Sequence, residues 1–322
     1  MSHSFFSLTP DAVLAAVEQA GHATTGLCYP LNSLENRVYE VELDDDARTR
    51  RIAKFYRPGR WSRAQIEEEH ALLAALDEAE VPVCAPLRFP DGATLHEAAG
   101  GILFTLFPRT GGRAPDDLDD ATLTELGRLI ARVHNVAGAM PLAHRPALSP
   151  ATYGRAALAT LTAPGGPAMA PGVGARYLTV AERICTVAEA RWQGLRTQTI
   201  HADWHRGNLL RGSRGWVVLD FDDMATGPAV HDLWLILPAR VAECPREVAA
   251  LLKGYQQLRD FDDRELRLIE ALRALRYLRY AAWIAARWTD PAFQRAFPHF
   301  ATDAYWEGQT ADLADQLRAL DS

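Results

Sequence analysis

Apolar residues recur at helical spacing over residues 9–20, where T-P-D-A-V-L-A-A-V-E-Q-A also offers a capping threonine and a proline at the first helical position, so a short amphipathic helix is expected there. The period then falls to two. Arg37–Leu43 alternates, Asp44-Asp45-Asp46 supplies a turn, and residues 51–56 resume the alternation, which predicts a hairpin. Residues 62–76 read as a helix, Val81-Pro82-Val83 opens a third extended region, and residues 101–107 form a buried apolar run stopping at Pro108. Beyond Arg113 helical periodicity dominates, over 118–134, 177–192, 246–258 and 264–288, while A-P-G-G-P-A-M-A-P-G-V-G at 163–174 predicts an exposed loop. The change of character over 106–113 marks a boundary between a sheet-and-helix lobe, 1–107, and a larger, mainly helical lobe, 108–322. The class is α+β, and no internal repeat is present.

Composition narrows the class without naming an activity. The chain has 322 residues, 48% of them apolar, enough to bury a core and too many for a disordered chain. Its 34 Lys+Arg against 41 Asp+Glu leave a formal charge of −7, which argues against a general nucleic-acid coat. Cys28, Cys84, Cys185 and Cys244 stand far apart with no C-x-x-C pair, favouring a reducing compartment. Residues 1–6 carry no secretory pattern, and no apolar stretch approaches the ~18 residues of a membrane helix. A cytoplasmic monomer without membrane or nucleic-acid partners is expected.

The densest polar signal is I-H-A-D-W-H-R-G-N-L-L at 200–210, followed by V-V-L-D-F-D-D at 217–223. Asp203, Asn208 after four intervening residues, and Asp220 at the end of a strand form the set that phosphoryl transfer from Mg-ATP requires: one carboxylate for the acceptor hydroxyl, an amide and a second carboxylate for magnesium. Taken singly, each residue also suits a turn. Lys54, inside a strand, has the place of a phosphate-binding lysine or of an edge-protecting one. Of Glu67, Glu68 and Glu69 on the next helix, Glu69 lies one turn before Leu73 and is the expected partner of Lys54, with Glu68 in reserve. His201-x3-His205 lacks the glutamate of a zinc helix, and Gly207-Asn208 favours a loop.

These residues resemble the aminoglycoside-phosphotransferase-like kinases, which share a bilobal protein-kinase-like fold, and among them the stress response kinase A family. The likeness runs through L-N-S-L-E-N-R-V-Y at 31–39, K-F-Y-R-P at 54–58, E-E-H at 68–70, the 201–208 loop, and D-F-D-D at 220–223 with G-P-A-V-H-D-L-W at 227–234. It implies an ATP- and Mg2+-dependent serine/threonine protein kinase of the stress response, with Asp203 as catalytic base, Asn208 and Asp220 on magnesium, Lys54 on the phosphates and Ser33 in the nucleotide-covering loop. With no glycine-rich motif, Asn32, Ser33 and Asn36 must stand in for backbone N–H groups. By the same resemblance Asp232 and His201 are scaffold residues, and adenine binds beside the 104–107 run. A small-molecule alcohol kinase is the second reading, and a nucleotide-binding scaffold without activity the third, although no charged catalytic position is lost. Ala202 replaces the usual glycine. His205 and Arg206 could each neutralise phosphate or cap the loop. Trp192, Trp204, Trp283, Trp288 and Trp306 could line an acceptor cleft; Arg109, Arg113, Arg273, Arg276 and Arg279 offer local positive charge, the last three also fitting a solvated helix face.

Overall fold

A computed structural model describes residues 5–321 apart from Ser7, Gly165, Ala168 and Arg214; residues 1–4, read above for a targeting signal, lie outside the described residues, as do two positions of the 163–174 stretch. In chain order the main elements are α1 (Pro10–Gln19), β1 (Thr24–Leu31), β2 (Arg37–Leu43), β3 (Arg50–Phe55), α2 (Arg63–Glu78), β4 (His96–Ala98), β5 (Ile102–Pro108), α3 (Asp120–Ala137) and α4 (Ala156–Thr162). There follow α5 (Pro171–Arg191), β6 (Gln198–Ile200), β7 (Leu209–Gly212), β8 (Gly215–Val218), β9 (Ala225–Gly227), α6 (Val230–Trp234), α7 (Pro245–Tyr255), α8 (Ile269–Ala286), α9 (Pro291–Ala296) and α10 (Asp303–Asp321). The chain divides into two compact units: Met1–Asp117 with Leu142–Arg145 and His205–Met224, and Leu118–Pro141 with Pro146–Trp204 and Ala225–Ser322.

In the first unit an antiparallel sheet runs in the order β1-β2-β3-β5-β4. Its strand period sorts the side chains onto two faces. Tyr39, Val41, Ala53, Phe55, Phe104 and Leu106 share a core with Val13, Ala16 and Val17 of α1, with the Phe55 and Phe104 rings stacked 5.0 Å apart. The register pairs Val38 with Lys54 and Glu40 with Ile52 on the alternate positions, so these four share the other face. Ser62 starts α2 with a reciprocal capping box, its Oγ accepting from Gln65 N–H while the Gln65 side chain accepts from Ser62 N–H, and Ile66, Leu73 and Leu76 fix the buried face. The expected extended segment at Val81-Pro82-Val83 contributes only an isolated bridge, Val83 to Val218, because Pro82 has no N–H for a ladder. Hairpin β7–β8 completes the unit.

The second unit is helical. α3 and α7 cross at touching distance: a Cβ on Gly127 would stand 2.0 Å from the Leu251 carbonyl oxygen, and one on Gly254 2.0 Å from that of Thr124, so glycine is obligatory on both helices. α8 buries Leu272, Leu275 and Leu278, and Trp306 of α10 meets Tyr177 of α5 edge to face at 5.1 Å. The loop expected over 163–174 ends early, since Pro171 serves as the first residue of α5. The helix expected over 264–288 opens as a 3-10 turn, Asp263–Leu268, before α8. Trp204 and Trp306 are fully buried, which removes them from any cleft. All four cysteines are free, and among the described residues no helix is long and apolar enough to cross a membrane.

Candidate active site

On the sheet face turned away from α1, Val38, Ile52 and Lys54 line a cavity of about 430 Å³ in the first unit, a volume suited to a small ligand. Phe107, Leu210 and Leu219 extend its apolar wall, and Ser33, Glu69, Asn208 and Asp220 add polar groups. Five of the residues singled out by sequence, Ser33, Lys54, Glu69, Asn208 and Asp220, therefore border one cavity; Asp203 belongs to the second unit. Hairpin register brings two of them side by side. Leu209 pairs with Val218, and Leu219 N–H donates to the Asn208 carbonyl at 2.9 Å, so the residues just outside β7 and β8 flank the hairpin's open end. Asp220 holds a left-handed backbone, φ 58°, which is strained for a non-glycine residue, and its side chain stays 52% exposed. One amide oxygen and one carboxylate on the same cavity are a hard-oxygen donor set that fits a small divalent cation whose other ligands are water and phosphate.

Charge is concentrated behind that cavity. Lys54, only 7% exposed, places Nζ 3.2 Å from Asp220 Oδ1, 3.3 Å from Asp222 Oδ1 and 3.8 Å from Glu69 Oε1. Burial alone would lower its pKa, but the three carboxylates hold it well above the ordinary value. Asp222, which sequence reading passed over, accepts from Asn36 Nδ2 at 3.1 Å and pairs with Arg60. Burial opposes its charge, yet Arg60, Lys54 and Arg145 keep its carboxyl far below the usual range. Arg145, also missed, donates Nη2 to Glu69 Oε2 at 2.8 Å, Nε to the Gln65 carbonyl at 2.8 Å and Nη1 to the Asp222 carbonyl at 2.5 Å, and its guanidinium lies 4.3 Å from the Trp61 ring centre. Glu68 turns outward, accepting backbone N–H bonds from Ala143 at 2.5 Å and Arg145 at 2.9 Å. The only local signal for Asp222 is the repeated acid of D-F-D-D; nothing near Arg145 in sequence announces it.

In the second unit the loop after β6 is held by Asp232, fully buried. Its carboxylate accepts N–H bonds from His201 and Ala202, both at 2.8 Å, and one from His134 Nε2 at 3.0 Å. Burial pushes this carboxyl up, and the His134 bond with the neighbouring His201 and His231 outweighs it, leaving the pKa lowered. His231 Nε2 donates to the Ala202 carbonyl at 3.0 Å, and burial depresses its pKa to about 4. Ala202 has φ 66°, so the position does require the left-handed conformation that a glycine would adopt freely. Asp203 N–H donates to His201 Nδ1 at 3.1 Å, and its half-buried carboxylate accepts from Arg276 Nη2 at 2.9 Å. In the first unit, His205 Nδ1 accepts from Gly207 N–H at 2.9 Å and Arg206 donates to the Asp116 carbonyl at 3.0 Å, which are loop-capping contacts.

Residues 29–269 match the model of the Phosphotransferase enzyme family. The chain is 35% identical over 327 residues to stress response kinase A of Escherichia coli K12, covering 98% of this chain and 95% of that one. It is 36% identical over 325 residues to the serine/threonine protein kinase RdoA of Salmonella typhimurium LT2, again covering 98% and 95%. In fold it is similar to amicoumacin kinase in complex with AMP-PNP, Ca2+ and Ami, with a TM-score of 0.71 at 18% identity over 92% of this chain and 93% of that one. The microcompartment-associated aminopropanol kinase gives 0.69 at 22% identity over 95% and 97%. The sheet, the lysine facing a cavity and the long alignment lead to one conclusion: this chain is a phosphotransferase belonging to the phosphotransferase enzyme family, and within it to the stress response kinase A family.

Proposed function

We propose that this phosphotransferase is an ATP- and magnesium-dependent kinase that moves the γ-phosphoryl group to a serine or threonine hydroxyl of a protein, in a response to stress. The observation that carries the reading is the first unit's cavity, with an apolar wall of Val38, Ile52 and Phe107 for a purine, and Lys54, Asn208 and Asp220 for the phosphates. Lys54 stays protonated and Glu69 steadies it, giving the triphosphate a fixed positive charge. Ser33 and Asn32 border the same cavity and offer side-chain donors where other kinases use glycine-rich backbone. Asn208 and Asp220 would hold magnesium, which neutralises phosphate charge when bound. Asp203 takes the acceptor hydroxyl's proton as the hydroxyl oxygen bonds to the γ-phosphorus; the bond from phosphorus to the β,γ-bridging oxygen breaks and ADP leaves with that electron pair.

A protein acceptor is supported by the kinase names of relatives aligned along almost the whole chain. A small alcohol is the second reading, favoured by the small-molecule kinases among the fold neighbours. Labelled ATP offered with casein and myelin basic protein, and separately with homoserine, choline and kanamycin, separates the two. Label in protein, lost in Asp203→Asn, is expected; label in small alcohols alone would remove the protein acceptor.

A further inference from the structure

We infer that Arg276 is a positioning residue for Asp203, an inference that rests on the proposed reading of Asp203 as the base. Arginines 273, 276 and 279 recur every three residues along α8 and look in sequence like one solvated face, but each has its own partner. Arg273 donates to the Ala239 carbonyl at 2.9 Å and covers the Trp234 ring, and Arg279 lies 4.9 Å from the Tyr153 ring centre. Arg276 alone of the three reaches the loop, with Nη2 at 2.9 Å from Asp203 Oδ1. α8 is anchored by Leu272, Leu275 and Leu278, so the guanidinium is presented from a rigid element.

The bond does two things. It fixes the plane of the carboxylate, and so the direction from which a hydroxyl proton can be accepted; geometry of this kind decides rates, since small misplacements cost large factors. It also places a permanent positive charge beside a group that must be ionised to act. Three other titratable groups about the Asp203 loop have roles of their own. His201 accepts the Asp203 N–H through Nδ1, His231 is kept neutral by burial, and Asp232 is an anion beneath the loop backbone. A guanidinium suits the task better than an ammonium because its N–H directions are fixed.

The test is steady-state turnover of Mg-ATP with casein as the probe acceptor, across pH, in wild type, Arg276→Met, Arg276→Lys and Asp203→Asn. Arg276→Met should lower kcat about 10- to 100-fold, with KM for ATP changed less than about twofold because Arg276 is not among the residues that line the ATP cavity. The acid limb of its kcat profile should move up by about one pH unit, the least an opposite charge at this range contributes. Arg276→Lys should recover part of the rate and most of the limb. A purely structural role would lower the melting temperature and the amplitude without moving the limb. Unchanged kcat and limb in a folded Arg276→Met, with Asp203→Asn inactive, would overturn this inference alone. A rise in kcat would overturn it too, making the pair a latch on the base. Full activity in Asp203→Asn would remove the reading of the base, and this inference with it.

Discussion

The two units hold their chemically important loops by opposite means. In the first, the residues around the cavity are fixed by buried full charges: Lys54, Arg60 and Arg145 against Glu69 and Asp222, within an otherwise apolar interior. In the second, one buried carboxylate, Asp232, gathers two backbone N–H groups and a histidine N–H, and the surrounding imidazoles do the rest through hydrogen bonds. The difference follows the tasks proposed for each. A triphosphate needs positive charge that survives burial, and Lys54 can remain protonated only while carboxylates surround it. A loop that presents a base needs a fixed backbone and no strong field beyond the one beside the carboxylate itself.

Breaking the first unit's network should have the largest effect. Asp222→Ala strips Arg60 and Lys54 of a shared partner and is expected to cost about 3–5 kcal/mol in urea unfolding, because uncompensated buried charge is left behind. In the second unit Asp232→Asn keeps the shape but turns an acceptor oxygen into an amide that faces an N–H donor. Its expected cost is smaller, about 1.5–3 kcal/mol, the range for one hydrogen bond to a charged group, with turnover falling as the 201–203 backbone loosens. An equal or larger loss for Asp232→Asn than for Asp222→Ala would reverse the contrast.

Acidity should sharpen it. His231 is depressed from 6.5 to about 4, so its stabilising contribution is complete above 6.5 and is lost as the pH falls from there toward 4. His70 of the first unit, pushed by burial and by the charges of Lys54 and Arg145 to about 3, adds a second such loss. Asp222, held below the usual carboxylate range, keeps its contribution until the pH drops under about 4. Each histidine should account for roughly 1.4 kcal/mol per pH unit below 6.5. Urea unfolding at pH 7, 6 and 5 should show a slope reduced by that amount in His231→Gln; an unchanged slope would mean the imidazole is not buried neutral. The smallest effect concerns Ala202. Relief of its left-handed strain, about 1–2 kcal/mol, less the added freedom of glycine in the unfolded chain, about 0.4–1 kcal/mol, predicts that Ala202→Gly gains up to ~1.6 kcal/mol in melting experiments, and a loss would show that the strain is relieved otherwise.

Local pattern carried much of this architecture. The Thr9 and Ser62 caps, the β2–β3 alternation and the run of β5 are each written within a few residues, and the same alternation aims Lys54 at the cavity. The position of Glu69, one turn before Leu73, likewise follows from helical spacing. What escaped is what depends on distant partners. Asp222 meets Asn36 and Arg60 across more than 160 residues, and Arg145 reaches Glu69 from a short segment between helical stretches, so no window of sequence contains both ends. β1 was hidden by its own irregularity, with Gly26 at φ 91° and a register shift between Thr24 and Cys28. α10 was hidden by its weak amphipathic pattern, because the residues it covers, such as Tyr177, come from another helix.

The central claim is that Asp203 serves the transfer step while the first unit's cavity serves the nucleotide. Single-turnover transfer of label from saturating Mg-ATP to casein tests it most directly in wild type and Asp203→Asn. The account predicts transfer at least about 100-fold slower in Asp203→Asn, the lower bound for losing a general base, with nucleotide binding retained; equal rates in the two proteins would contradict it.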